Sequence, residues 1–175
     1  MIDSSFVQQV NALSEQTVEL CYHCHKCTAG CPVALEMEYG PDRILRLIQL
    51  GEKERVLTSS DIWLCASCET CGTRCPNEIN IAEVMDGLRA IALAEGYPTP
   101  EPNAPVFHNL FLGIIGRMGR MHEASLMGLY KLKTLDLTAD MDSGIRMFLK
   151  GKIPLLPHKV KKMDEVKRIF RETGG

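Results

Sequence analysis

The chain has no GxGxxG fingerprint, no Walker loop and no HExxH motif, so the common signatures of dinucleotide, nucleotide and zinc-protease chemistry are absent. It also lacks a field of charge of one sign. Its 20 basic and 22 acidic residues nearly cancel to a net −2, which argues against nucleic acid or an anionic membrane as a partner. The N-terminus, MIDSSFVQQVNALSEQ, has no basic region followed by a continuous apolar run and a small-residue cleavage site, so a cytoplasmic protein is expected. Long hydrophobic runs are missing too. The most apolar stretch, residues 106 to 115, is broken by His108 and Asn109 and is half the ~20 residues a membrane span needs. It reads as a buried helix or a docking surface, not a transmembrane segment.

What the 175 residues do contain is eight cysteines, a heavy load for a reducing compartment where structural disulfides are the less favoured use. They fall in two runs, CYHCHKCTAGCP with Cys21, Cys24, Cys27 and Cys31, and CASCETCGTRCP with Cys65, Cys68, Cys71 and Cys75. Both runs are CxxCxxCxxxCP, and every cysteine of the second stands 44 residues after its counterpart in the first. That register marks an internal repeat.

Three metal chemistries compete for these thiols. CYHCH at residues 21 to 25 matches a covalent haem site, but the second run has Glu69 where the first has His25, so histidine is not part of the shared chemistry. Two four-cysteine zinc sites are the stronger alternative, yet zinc needs only two CxxC pairs per site. Three cysteines at three-residue intervals wrap three corners of one cubane, and a fourth four residues on, beside a proline, is the spacing of the bacterial two-cluster run. In that run the fourth cysteine serves the other cluster. Two [4Fe-4S] clusters are therefore predicted, one on Cys21, Cys24, Cys27 and Cys75, the other on Cys65, Cys68, Cys71 and Cys31.

The segments around the cysteines have helical, not strand, periodicity. Ser4 or Ser5 is placed to cap a helix with Phe6, Val10 and Leu13 on one face. Gly40-Pro41-Asp42 starts a second with Ile44, Leu45, Leu47 and Ile48, ending at Gly51. Ser59, Ser60 and Asp61 offer a start before IWLCASC. Asn80 with Glu83 reads as a capping box ahead of Ile81, Val84, Met85, Leu88, Ile91 and Ala92, up to Gly96. Trp63 and Leu64 are placed to shield a cluster, Lys26 and Arg74 to offset its charge, and the amides near Gly30 and Gly72 to donate to sulfur. His23 and His25 read as surface residues, and His108, His122 and His158 receive no chemical role.

The fold predicted is all-α: an α-helical ferredoxin-type domain over residues 1 to 97, then a Pro-rich joint and a helical C-terminal extension over 98 to 175. Pro98, Pro100, Pro102 and Pro105 form the joint. Beyond it, glycines 113, 116 and 119 allow close helix approach, and the methionines suit either an ordinary small core or a surface that docks on a partner. The tail is predicted to be an amphipathic helix with Val160, Met163, Val166, Ile169 and Phe170 inward.

With all eight cysteines committed to clusters, the chain reads as a carrier of electrons with no catalytic residues of its own. The paired motifs, the GPDRILRLIQLG segment, the WLCASCETCGTRCPNEINI stretch and the helical extension resemble the C subunit of heterodisulfide reductase and its bacterial relatives. The resemblance implies a non-catalytic relay between a flavin-containing, iron–sulfur A subunit and a catalytic, CCG-type B subunit, within a hetero-oligomeric complex acting on disulfide or thiol substrates. Two other readings stand beside it: the iron–sulfur subunit of a flavin dehydrogenase of the glycerol-3-phosphate dehydrogenase or glycolate oxidase type, and a non-redox module braced by its clusters.

Overall fold

The structure, a computed structural model, describes residues 4–135, 146, 147, 149–151 and 157–173. Among these there are helices and turns but no strand, as the periodicity predicts. The chain divides into two compact units, Met1–Glu101 and Pro102–Gly175, where the sequence reading drew the boundary at residue 98. No helix of the described residues is long and apolar enough to cross a membrane.

The first unit is built from α1 (Ser4–Ser14), α2 (Lys26–Ala29), α3 (Pro41–Gln49), α4 (Lys53–Leu57), α5 (Asp61–Leu64), α6 (Thr70–Thr73) and α7 (Ile81–Glu95), with a 3-10 turn at Val18–Leu20. Helix α7 is its spine, touched by α1, α4, α5 and α6. Phe6, Val10, Val18, Ile44, Leu45, Ile48, Leu57, Ile62, Ile81, Met85, Leu88 and Ile91 are almost fully buried. Each such large apolar side chain contributes roughly 1.5–3 kcal/mol by leaving water.

The apolar stripes of α3 and α7 are buried as predicted. On α1 the face is rotated: Leu13 is 55% exposed, and Val7 and Ser14 are buried instead. Ser14 lies against Gly87 of α7 and folds its hydroxyl back onto the Val10 carbonyl, so a small polar residue fills the close approach that leucine would block. The side chain of Ser4 and the residues ahead of α1 lie outside the described residues, and with them that predicted cap. Helix α3 has Pro41 in its first turn as expected. Asn80 holds the N-cap position of α7 without closing a capping box. Its side chain makes no cap bond, and Glu83 accepts from Gln16 at 2.6 Å instead. Ser59 does the capping work at α5, accepting from the Asp61 amide at 3.1 Å. Gly96 ends α7 at φ 73°, a left-handed conformation that glycine adopts without a Cβ clash.

The second unit contains α8 (Asn103–Met118), α9 (Glu123–Thr134) and α10 (Met163–Thr173), with α9 and α10 both packed on α8. Pro105 stands inside the first turn of α8 and not in the joint, because a first-turn amide has no helical acceptor to lose. Gly116 faces Phe170, and a Cβ on Gly119 would collide with Val160, so these two glycines carry the close approach; a Cβ at Gly113 would meet nothing within 4 Å among the described residues. Val160, Met163, Val166 and Phe170 are half-buried, while Ile169 is turned out. Only Ile114 of the 106 to 115 stretch is buried, and Phe107 and Leu112 are exposed. His122 caps α9, its Nδ1 accepting from the Ser125 amide, which is a structural role.

Candidate iron–sulfur centres

The two cysteine runs fold into the same local shape. His23 and His25 in the first, and Ser67 and Glu69 in the second, are left-handed at φ 59°, 61°, 48° and 58°. These residues flank Cys24 and Cys68, so each loop coils around its middle thiol. Each coil then closes into a single helical turn, α2 or α6, that carries the third cysteine inward. The result is one graded set per loop: Cys24 and Cys68 exposed, Cys27 and Cys71 buried, Cys21, Cys65 and the two fourth cysteines between. All eight are free thiols, none paired in a disulfide. Holding a non-glycine residue left-handed costs about 1–2 kcal/mol each, which local bonds must offset.

Those bonds differ between the loops. In the first, Asp42, 4% exposed, accepts from the Thr28 hydroxyl and lies 2.7 Å from His25 Nδ1, while its own amide donates to Thr28 Oγ1 at 3.1 Å. Burial works to raise the Asp42 pKa, but the bonds from Thr28 and His25 and the nearby histidine outweigh it and hold the carboxyl below its ordinary value. Gln49 donates to the carbonyls of Val18 and Cys21 at 2.9 and 3.0 Å, and its Oε1 is 2.7 Å from His23 Nε2. In the second loop the equivalent carbonyls, Ile62 and Cys65, accept from the guanidinium of Arg89. Arg89 also pairs with Asp86 at 2.8 Å.

The segment that leaves each loop crosses to the other. After Cys31, residues 32 to 40 run to the start of the second loop, where Asp61, fully buried, accepts the amides of Glu38, Tyr39 and Gly40 at 2.8, 2.9 and 2.7 Å. After Cys75, Asn77 donates to the Leu20 carbonyl, and the Asn80 amide donates to Gln16 at 2.8 Å, both just ahead of Cys21. Cys31 consequently shares one pocket with Cys65, Cys68 and Cys71, whose apolar wall includes Val33, Met37, Ile81 and Met85. Cys75 stands close enough to Cys21 that its charge opposes ionisation of the Cys21 thiol. The α2 and α6 turns pack on each other.

Burial pushes the Cys27 thiol up to about 11, with Asp42 adding to the rise, and raises Cys71, with Cys65 and Cys31 adding. Cys68, fully exposed, is lowered by its bond with Thr70. Buried thiols of high pKa must surrender protons to bind metal, and a metal's charge drives that exchange. Among the described residues no three Cys, His, Asp or Glu side chains close on a single point as the ligands of one ion must. Four thiols set around a pocket with an apolar wall, with Glu69 the one carboxylate in its lining, fit an iron–sulfur core. Trp63 is buried, and its Nε1 has no hydrogen-bond partner among the described residues, two positions ahead of Cys65. Lys26 and Arg74 are exposed, and the Arg74 guanidinium lies over Gly30, where a Cβ would come within 2.5 Å of it.

Asp42, Gln49, Asp61 and Arg89 are absent from the sequence-predicted site. Arg89 alone left a trace, a cation within the apolar periodicity of α7 at helical spacing from Met85 and Ala92.

Residues 20–80 match the family model described as a 4Fe-4S dicluster domain. The C subunit of the H(2):CoB-CoM heterodisulfide,ferredoxin reductase of Methanothermobacter marburgensis is 24% identical over 180 residues, which span 99% of this chain and 84% of that protein. The iron-sulfur C subunit, form 2, of the CoB--CoM heterodisulfide reductase of Methanocaldococcus jannaschii is 40% identical over 81 residues, 46% of this chain and 43% of that one. The C subunit of the ferredoxin/F(420)H(2)-dependent CoB-CoM heterodisulfide reductase of Methanosarcina acetivorans is 38% identical over 81 residues, 46% and 50% of the respective chains. The cysteine-bearing unit is thus an all-α domain for two [4Fe-4S] clusters. Across nearly its whole length the chain is similar to heterodisulfide reductase C subunits, which supports an electron-transfer role.

Proposed function

We propose that this chain is the non-catalytic electron relay of a cytoplasmic, heterodisulfide reductase-like complex, passing electrons from a flavin-containing, iron–sulfur A subunit to a catalytic, CCG-type B subunit. The observation that carries the reading is the grading of the two thiol sets. Each has one exposed cysteine, Cys24 or Cys68, backed by one buried cysteine, Cys27 or Cys71, within a single helical body. That gives each set a face toward a partner and a face toward the other set.

In this reading Cys21, Cys24, Cys27 and Cys75 hold one cluster, and Cys65, Cys68, Cys71 and Cys31 the other. Its support is the crossing of segments 32 to 40 and 76 to 80, which carries each fourth cysteine away from its own run. Each cluster, when bound, takes up and returns single electrons. The protein's own residues do the rest. Asp61 fixes the crossing segment, Asp42 and Gln49 hold the first loop, Arg89 holds the second, and Val33, Met37, Ile81 and Met85 keep water from the second set. The second unit, with Phe107, Leu112, Leu129 and Leu132 exposed, is the part offered to partner subunits.

Anaerobic purification from the native cell tests this directly. The expected result is about eight irons with matching sulfide, an EPR signal that appears on reduction, and copurification of a flavoprotein and a CCG-repeat protein. A flavin dehydrogenase as the sole partner would reassign the complex, signals indifferent to reductant would make the clusters structural, and stoichiometric zinc without iron would end the reading.

A further inference from the structure

The two loops present the same pair of carbonyls to different chemistry. Val18 and Cys21 accept from the neutral amide of Gln49, at 2.9 and 3.0 Å. Ile62 and Cys65, each 44 residues further on, accept from the cationic guanidinium of Arg89. Gln49 lies on α3 and Arg89 on α7, so this is one structural task performed by side chains of unlike charge.

The buried charges reinforce the difference. Arg89 is only 12% exposed, whereas the Asp86 carboxylate that pairs with it is 59% exposed and screened by water. Beside the first loop the buried charge is negative: the Asp42 side chain is 5% exposed, and its histidine partner, His25, is 70% exposed. The second loop also has a buried carboxylate, Asp61, but three backbone amides share its charge ahead of the loop, whereas Arg89 bonds the Cys65 carbonyl itself. The Arg46 guanidinium reaches Gln49 Oε1 at 3.3 Å, but from an exposed position. Asp42 bonds Thr28 and His25, the residues on either side of the Lys26-Cys27 pair, so its charge lies against the first loop. A buried carboxylate resists an electron added nearby, and a buried cation favours one.

We infer that Arg89, set against Gln49 and Asp42, orders the two redox sites, so that an electron shared between them rests at Cys65, Cys68 and Cys71. The inference depends on the two-cluster relay proposed above. One site loses the electron that the other gains, and no bond is made or broken. Arg89 is a positioning residue in this scheme, acting through the Cys65 carbonyl and through its charge. The partner that docks beside Cys24 is then the lower-potential one, and the partner beside Cys68 withdraws the electron only if its own potential is higher still.

A redox titration of the cluster-loaded full chain, followed by EPR and visible absorbance at about pH 8, where an ordinary histidine is neutral, is the test. Wild type is expected to show two one-electron steps. Cys68→Ser alters the spectrum of the higher step, and Cys24→Ser that of the lower. Arg89→Gln keeps a donor and removes the charge, so the higher step falls by roughly the equivalent of a tenfold change in electron distribution, about 59 mV, while the lower step stays. Arg89→Lys restores most of it. Asp42→Asn raises the lower step and narrows the gap, and it carries the test alone if Arg89→Gln does not load iron. An Arg89→Gln protein whose higher step is unmoved overturns the inference, as does Cys68→Ser altering the lower step, or Asp42→Asn leaving the lower step in place. Absence of any iron-dependent step rejects the relay itself, a different outcome from two steps in the wrong order.

Discussion

From 21 to 31 and from 65 to 75 the backbone repeats itself down to the paired left-handed residues, yet the groups that hold the two loops share neither identity nor charge. The connections that follow differ as well. Nine residues separate Cys31 from α3, while five separate Cys75 from α7, so the register of 44 that holds through the cysteines is lost by the next helix. A duplicated loop is thus free to keep the geometry its ligands require while its surroundings diverge. The surroundings are where hydrogen bonds and charge adjust a cluster's behaviour.

The comparison breaks most completely if the fourth cysteines are exchanged between sets. Cys31→Ser is expected to abolish or convert the cluster whose other ligands are Cys65, Cys68 and Cys71, and Cys75→Ser the one at Cys21, Cys24 and Cys27, each with loss of about half the iron. EPR and iron counts on the two variants check this; damage confined to the cluster of the cysteine's own run would refute the crossed ligation.

A smaller break targets the crossing segment. Asp61→Ala strands three backbone amides, at an expected cost of about 3–5 kcal/mol in denaturant unfolding, and the second cluster is lost before the first. Equal loss of both clusters would mean that Asp61 supports the unit as a whole and not one loop.

The third test sets Gly30 against Gly72. A methyl at Gly30 meets Arg74 at 2.5 Å, but at Gly72 the nearest atom, Asn80 Oδ1, is at 3.5 Å. Gly30→Ala displaces the exposed Arg74 side chain and should cost no more than about 1 kcal/mol, a cost that Arg74→Ala removes, while Gly72→Ala changes little; thermal melts of wild type and these variants decide.

The smallest effect concerns acid. Because the folded-state pKa of Asp42 is lowered, its contribution is full above the ordinary carboxylate range of about 4 and is lost as pH falls through the lower folded value. The stability difference between wild type and Asp42→Asn should therefore shrink below about pH 4, as read in unfolding measurements across that range.

These tests also mark what was legible in the residues alone. Cysteine spacing reports ligand geometry directly, and helical periodicity reports burial, so the metal type and the α3 and α7 faces could be read in advance. Leu13 misled because periodicity does not say where on a face a neighbour sits; Gly87 brings α1 close, and Ser14 fits there where leucine does not. Asn80 and Glu83 had the letters of a capping box, but Gln16, 64 residues from Asn80, takes Asn80's backbone bond, and no local pattern encodes a competitor that distant. Asp61 and Arg89 were hidden for the same reason: their partners are backbone groups elsewhere in the chain, and a backbone group leaves no mark in a sequence. Asp42 was hidden because its side-chain partners, Thr28 and His25, stand 14 and 17 residues away.

The crossing of the two segments also sets a timetable for synthesis. On the crossed ligation the set begun at Cys21 is closed by Cys75, and the set containing Cys31 is closed by Cys71. The ribosome must therefore deliver nearly the whole cysteine region before either cluster can be completed. At about 5–20 residues per second, the 44 residues that separate Cys31 from Cys75 take roughly 2–9 s, during which the first run's thiols wait without a finished site. Oxidation of the first run's thiols in that interval removes ligands from both clusters, and a chain cut short between the runs leaves neither.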